Sequence, residues 1–119
     1  VRANSDLQTM YLKLRRRYWT DRGRKLPGLD RVLLGYLGSK EFHGRHVYDC
    51  RRRHNPDYHH YIVVNRDLDR DPDELRRTML HEMAHLAVSE KMKKREKSHG
   101  WRWRKEVHRL RGLGADVGD

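Results

Sequence analysis

Residues 71–92, DPDELRRTMLHEMAHLAVSEKM, carry the most complete structural instruction in the chain. Asp71 is a good N-cap, Pro72 sits at the first helical position, where its missing N–H costs nothing, and Glu74 completes a capping box with Asp71. Leu75, Met79, Met83 and Leu86 recur at helical spacing and form an apolar stripe. A helix is therefore expected from Pro72 to about Met92, with one face committed to a core.

That core has to be thin. Only 35% of the 119 residues are apolar, 38% are charged, and the mean hydropathy is −1.15. A chain of this length makes one domain, here 1–119, with a single modest core. Upstream, residues 4–19 place Leu7, Met10, Tyr11, Leu14 and Tyr18 on one helical face, and Gly23, Pro27 and Gly28 mark a loop. Three strand-like segments follow at 31–37, 46–52 and 58–65. The last two flank HNPD, a turn sequence, and are expected to form a hairpin. After the basic stretch KKREKS, a last helix starts near Ser98 and carries Trp103, Val107 and Leu110 inward until Gly112. The expected fold class is a small α+β domain: an N-terminal helix, a three-stranded mainly antiparallel sheet, the 72–92 helix and a C-terminal helix.

The 72–92 helix also carries chemistry. His81 and His85 are four residues apart, so both imidazoles leave one face about one turn apart and can bind a single zinc ion. Glu82 beside them is placed to act as general base rather than as ligand, the arrangement HExxH, here HEMAH. The apolar stripe lies on the other side of the helix, so these histidines are not needed to fill it. Catalytic zinc takes three protein ligands and keeps one position for water. His99 lies 14 residues beyond His85, at the start of the next helix, and the chain can fold back to supply it. The competing reading of His99 is an exposed loop histidine.

HEMAH followed by a basic loop and HGWRW, with Trp103 four residues after His99, resembles the SprT-like domain, the protease domain of the Spartan-type DNA-dependent metalloproteases. The likeness covers roughly residues 5–111. It implies a small zincin-like fold, one catalytic Zn2+ on His81, His85 and His99, and Glu82 as base and acid. It also implies action on proteins bound or crosslinked to DNA, with nucleic acid, single-stranded or of single-stranded character, as stimulating partner. Many relatives carry a four-cysteine zinc ribbon after the protease domain. Cys50 is the only cysteine in these 119 residues, too few for that ribbon within them, so DNA contact is expected to fall to the basic surface of the domain itself.

Lysine and arginine outnumber acids 28 to 17, a net charge of +11, and residues 91–119 hold ten basic residues against four acidic. Such a balance fits a polyanionic partner or plain solubility. Within it, Trp101 is expected to pack in the core, with stacking on an unpaired base as the alternative. The arginine triplets at 15–17 and 51–53 can touch phosphates or cover exposed faces. No apolar run spans a membrane and no signal-peptide core opens the chain, so a cytoplasmic, nucleoid-associated or nuclear protein is expected. Strand YIVVN (61–65), just before the 72–92 helix, is read as an edge that could pair with an extended substrate, its alternative an ordinary core strand. Tyr58, His60 and Tyr61 are candidates for a second oxyanion donor, with none selected. His59 and His60 point to opposite faces of their strand. His43, His46 and His108 are read as surface residues, His54 as a turn residue and Cys50 as a buried or half-buried thiol. Two other functions remain as alternatives: a small zinc peptidase unrelated to DNA, and a non-catalytic nucleic-acid-binding module.

Overall fold

The computed structural model describes residues 2–21, 25–38, 41–49, 58–94 and 99–118. Helix α1 (Ser5–Tyr18) opens at Asn4, whose side-chain oxygen accepts from the N–H groups of Asp6 and Leu7, both at 3.0 Å. Leu7, Tyr11, Leu14 and Tyr18 of this helix are buried, as their spacing predicts. Strands β1 (Val32–Leu37), β2 (Gly44–Tyr48) and β3 (His60–Asn65) follow, then a 3-10 turn at Arg66–Arg70. Helices α2 (Pro72–Met92) and α3 (Trp101–Gly112) complete the order. The turn HNPD with His54, Cys50, Arg51 to Arg53, and Ser98 lie outside the described residues.

The strand order is β1-β3-β2. Strands β2 and β3 pair antiparallel, Gly44 opposite Val64 and Tyr48 opposite His60, which is the expected hairpin pairing. Strand β1 joins the other side of β3 in parallel, Val32 beside His60 and Leu34 beside Ile62. The sheet is therefore mixed, not mainly antiparallel. The connection from β1 to β3 contains all of β2, long enough to bring β3 back in the same direction as β1. Strand β3, with the IVV run, takes the centre and is hydrogen-bonded on both sides, so it is not the edge expected of YIVVN. The edges are β1 and β2.

Val32, Leu34, Ile62 and Val64 form the inner face of the sheet, all at most 1% exposed, and α2 packs across β2 and β3. Leu75, Met79, Met83 and Leu86 are buried there as the stripe predicts, and Leu80 and Ala84 are buried with them because α3 packs against α2 as well. Asp71 Oδ1 accepts from the Glu74 N–H at 3.2 Å. The reciprocal half of the capping box is missing: the Asp71 N–H donates to Leu68 O, and the Glu74 carboxylate takes the Arg77 guanidinium at 2.7 Å. Helix α2 ends at Lys93, in the left-handed region at φ 55°, with its N–H donating to Ser89 O. Helix α3 starts at Gly100 without a side-chain cap and buries Trp103, Val107 and Leu110. Beyond it the chain returns to α2: Ala115 and Val117 are buried, and the Gly118 N–H donates to Arg77 O. Among the described residues no helix is long and apolar enough to cross a membrane.

One glycine sets the distance between sheet and helix. A Cβ on Gly44 would meet Thr78 Cγ2 at 2.7 Å and Glu82 Oε2 at 3.2 Å, so β2 lies against α2 only because this residue has no side chain. Gly44→Ala is expected to destabilise the fold by about 1–3 kcal/mol through overpacking. In urea denaturation this would show as a lower midpoint with an unchanged slope.

Candidate metal centre

Helix α2 presents His81, Glu82 and His85 toward a cleft of about 800 Å³ between α2 and the edge strand β2, with His99 and Gly118 closing one end. One ring nitrogen from each of His81, His85 and His99 lies within 4.8 Å of the others, and the three can hold one metal ion. His81 Nε2 and His99 Nε2 are 3.0 Å apart. His99 reaches this position from a left-handed backbone at φ 58°, a conformation costing roughly 1–2 kcal/mol for a residue with a Cβ. His99 is exposed, as the competing reading had it, while its ring joins the cluster.

Two groups orient the imidazoles. His81 Nδ1 lies 2.8 Å from Gly118 O. A carbonyl only accepts, so the proton is on Nδ1 and the Nε2 lone pair of the neutral ring faces the cluster. Trp103 forms a floor under all three rings, with centroids at 4.7 Å from His81, 5.1 Å from His85 and 4.4 Å from His99. Its indole N–H donates to His81 O at 3.2 Å, which ties α3 to α2 at the cluster. Burial, and then the neighbouring His81 and His99, hold the His85 imidazole down to about 3, so it offers a lone pair at neutral pH.

Glu82 is only 5% exposed, and its Oε2 is 3.9 Å from His81 Nε2. Burial pushes its carboxyl up to about 8, partly offset by a hydrogen bond from the backbone N–H of His46. Donor set and surroundings therefore suit a divalent metal: three neutral-capable imidazoles, one already turned by a backbone carbonyl, beside a carboxyl that gains from a nearby positive charge.

The SprT-like family model matches residues 7–117. The chain belongs to the SprT-like family. Its members are metallopeptidase-type domains, and the match takes in all four of His81, Glu82, His85 and His99. No curated protein and no solved structure matches the chain significantly.

Several residues are placed differently from the sequence reading. His46 is half-buried and borders the cleft, because β2 begins at Gly44 and the His46 side chain shares the inner face with His60 and Tyr48. His43 stays a surface residue, its side chain 68% exposed and 3.6 Å from Glu74. His108 is exposed as expected. Of the three candidates for a second donor, none borders the cleft. His60 is fully buried behind it, and Tyr61, with Tyr58 beside its ring, lies on the opposite face of β3. Trp101 is 58% exposed rather than in the core, with the Arg102 guanidinium 4.4 Å over its ring. Gly118 had no signal in the sequence. Gly44 lies two residues before the strand read at 46–52, and only the observed start of β2 at Gly44 makes it a glycine of close backbone approach.

The Glu82 environment has a consequence for stability without metal. Its folded value near 8 lies above its ordinary 4.5, so between these values the folded state keeps a proton that the unfolded state releases. Stability from this group therefore falls as pH rises through that window. In metal-free protein Glu82→Gln is expected to be nearly neutral at pH 4.5. At pH 8 it should stabilise by an amount on the order of a few kcal/mol, read from urea denaturation at the two pH values.

Proposed function

We propose that this chain is a zinc-dependent endopeptidase in which His81, His85 and His99 hold one zinc ion and Glu82 is the general base. The observation that carries this reading is the convergence of three imidazoles and one buried carboxyl on a cleft whose far wall is β2, an edge strand of the sheet among the described residues. Zinc bound there would supply Lewis-acid polarisation of the scissile carbonyl and of the attacking water. The chain's own residues do the rest. Glu82 takes the proton of the attacking water on its carboxylate and delivers it to the leaving amine.

The edge of β2 binds the substrate backbone. Asn65 donates to His43 O and Asp49 to His59 O, so the intervening odd-numbered residues face β3. The backbone groups of Gly44, His46 and Tyr48 therefore turn toward the cleft, with the His46 N–H held by Glu82. An extended peptide laid along this edge is read mainly through its main chain, which gives broad sequence tolerance.

Loose specificity calls for another restriction, and DNA is the proposed one. Helix α3 has Arg102, Arg104 and Lys105 exposed on its outer side together with Trp101, on a chain of net charge +11. Phosphate contacts from these cations, and stacking of an unpaired base on Trp101, would tether the enzyme next to DNA-bound or DNA-crosslinked proteins.

Metal analysis of the purified protein is expected to give one zinc per chain, with His99→Ala weakening zinc binding by more than about 100-fold. Glu82→Gln should keep the zinc and lower kcat on an unfolded protein substrate by about 10²–10⁴. Single-stranded DNA is expected to accelerate cleavage of a DNA-binding substrate, and the effect should fade as salt rises. Cleavage indifferent to DNA and salt would leave a zinc peptidase without a DNA partner. No stoichiometric zinc and no cleavage, with nucleic-acid binding intact in Glu82→Gln, would leave a non-catalytic module.

A further inference from the structure

Behind the cleft runs a chain of hydrogen bonds that the reaction above does not use. His46 Nε2 lies 3.0 Å from His60 Nδ1, and His60 Nε2 lies 2.8 Å from Glu90 Oε2. The chain ends on Arg31, whose Nη2 donates to both Glu90 oxygens at 2.8 and 3.0 Å, and on Lys93, which donates to Oε1 at 2.8 Å. His60 has no exposed surface and lies against the rings of Tyr48 and His46, with centroids 5.0 and 5.2 Å away. A fully buried imidazole with both nitrogens engaged is a directional element.

The direction follows from the Glu90 end. A carboxylate gripped by a guanidinium and an ammonium can only accept. Burial opposes its ionisation, but the hydrogen bonds from Lys93, His60 and Arg31 outweigh that and hold its carboxyl down at about 2. His60 Nε2 must therefore donate to Glu90. Burial, only partly offset by Glu90, keeps the His60 imidazole neutral, so its Nδ1 carries a lone pair and His46 Nε2 donates to it. The neutral His46 ring is left with its lone pair on Nδ1, which makes no hydrogen bond among the described residues. His46 lines the cleft, and its backbone N–H holds Glu82.

We propose that His46 is a substrate-contacting residue of the cleft that accepts a hydrogen bond from a backbone N–H of the bound peptide, with His60, Glu90 and Arg31 as positioning residues that fix its tautomer. The proposal rests on the peptidase reading and deepens it. An imidazole in this tautomer cannot donate to a carbonyl oxygen, so it reads the N–H half of a peptide group, leaving the C=O half to other donors. A peptide laid along the edge of β2 presents such N–H groups at regular spacing.

Two measurements on the zinc-loaded full chain test this. Long-range proton–nitrogen NMR is expected to show both His46 and His60 protonated at Nε2, and His60→Phe is expected to leave His46 in mixed tautomers with zinc content unchanged. A His46 ring protonated at Nδ1 in the wild type would overturn the proposal. In steady-state cleavage of an unfolded protein, His46→Phe is expected to lower kcat/KM by about tenfold to a hundredfold. His46→Asn, whose Oδ1 is an acceptor near the Nδ1 position, should recover most of that loss, again with zinc unchanged. An active wild type matched by an equally active His46→Phe would sink the role of His46 and leave the peptidase reading standing. A zinc-loaded wild type that cleaves no protein would overturn the peptidase reading and the substrate role together, while the tautomers still decide the hydrogen-bond chain.

Discussion

Helix α2 is covered by the sheet on one side and by α3 on another, yet it has to carry Thr78, Glu82 and Ser89 into that buried zone. An unpaired carboxylate there would cost several kcal/mol, more than one domain of this size can absorb lightly. The fold meets this constraint by bringing a strand close rather than by exposing the helix. Gly44 lets β2 approach until the His46 N–H reaches Glu82, and the carboxyl keeps an elevated proton affinity. The separation of sheet and helix, the width of the cleft and the protonation of Glu82 all follow from this single approach.

The same economy applies to the histidines. Three imidazoles lie within reach of one another, and burial, with His81 and His99 beside it, already holds His85 neutral. Gly118 and Trp103 act on the cluster from outside it, one through a carbonyl on His81 Nδ1 and the other as an aromatic floor. Such partners fix ring orientation before any ion arrives, which reduces the ordering a metal must impose. The segment after α3 is thereby part of the centre. Arg77 pairs with Asp116, and Arg111 donates to Val117 O, so side chains from α2 and α3 hold the tail that supplies the Gly118 carbonyl.

What could be read from the sequence divides along local and non-local lines. The capping residues, the stripe from Leu75 to Leu86 and the spacing of His81 and His85 are properties of one helix, and they emerged with the right bounds. The reach of His99 back to α2 was inferable from the loop length and the need for a third ligand, though its left-handed backbone was not. Strand order was out of reach, because β3 looks the same from its sequence at an edge or at the centre. The misreading of His46 came from register. A strand taken as 46–52 puts His46 at its start, whereas the observed 44–48 puts it mid-strand on the inner face. Half a capping box failed for a similar reason: Glu74 had a better partner in Arg77, one turn on along the same helix.

An exposed strand edge is ordinarily a liability, since its unpaired backbone groups invite association with other chains. The two edges of this sheet are treated differently. At β1, the Asn4 N–H donates to Leu34 O at 2.9 Å, so the start of α1 occupies part of that edge. At β2 the Glu82 carboxyl takes the His46 N–H, and the strand is just five residues long, with Arg45 exposed on its outer face. Shortness and charge are the means by which natural sheets blunt an edge without closing it. An edge blunted in this way, directly across from Glu82 and the three histidines, offers a poor template for a second copy of the sheet.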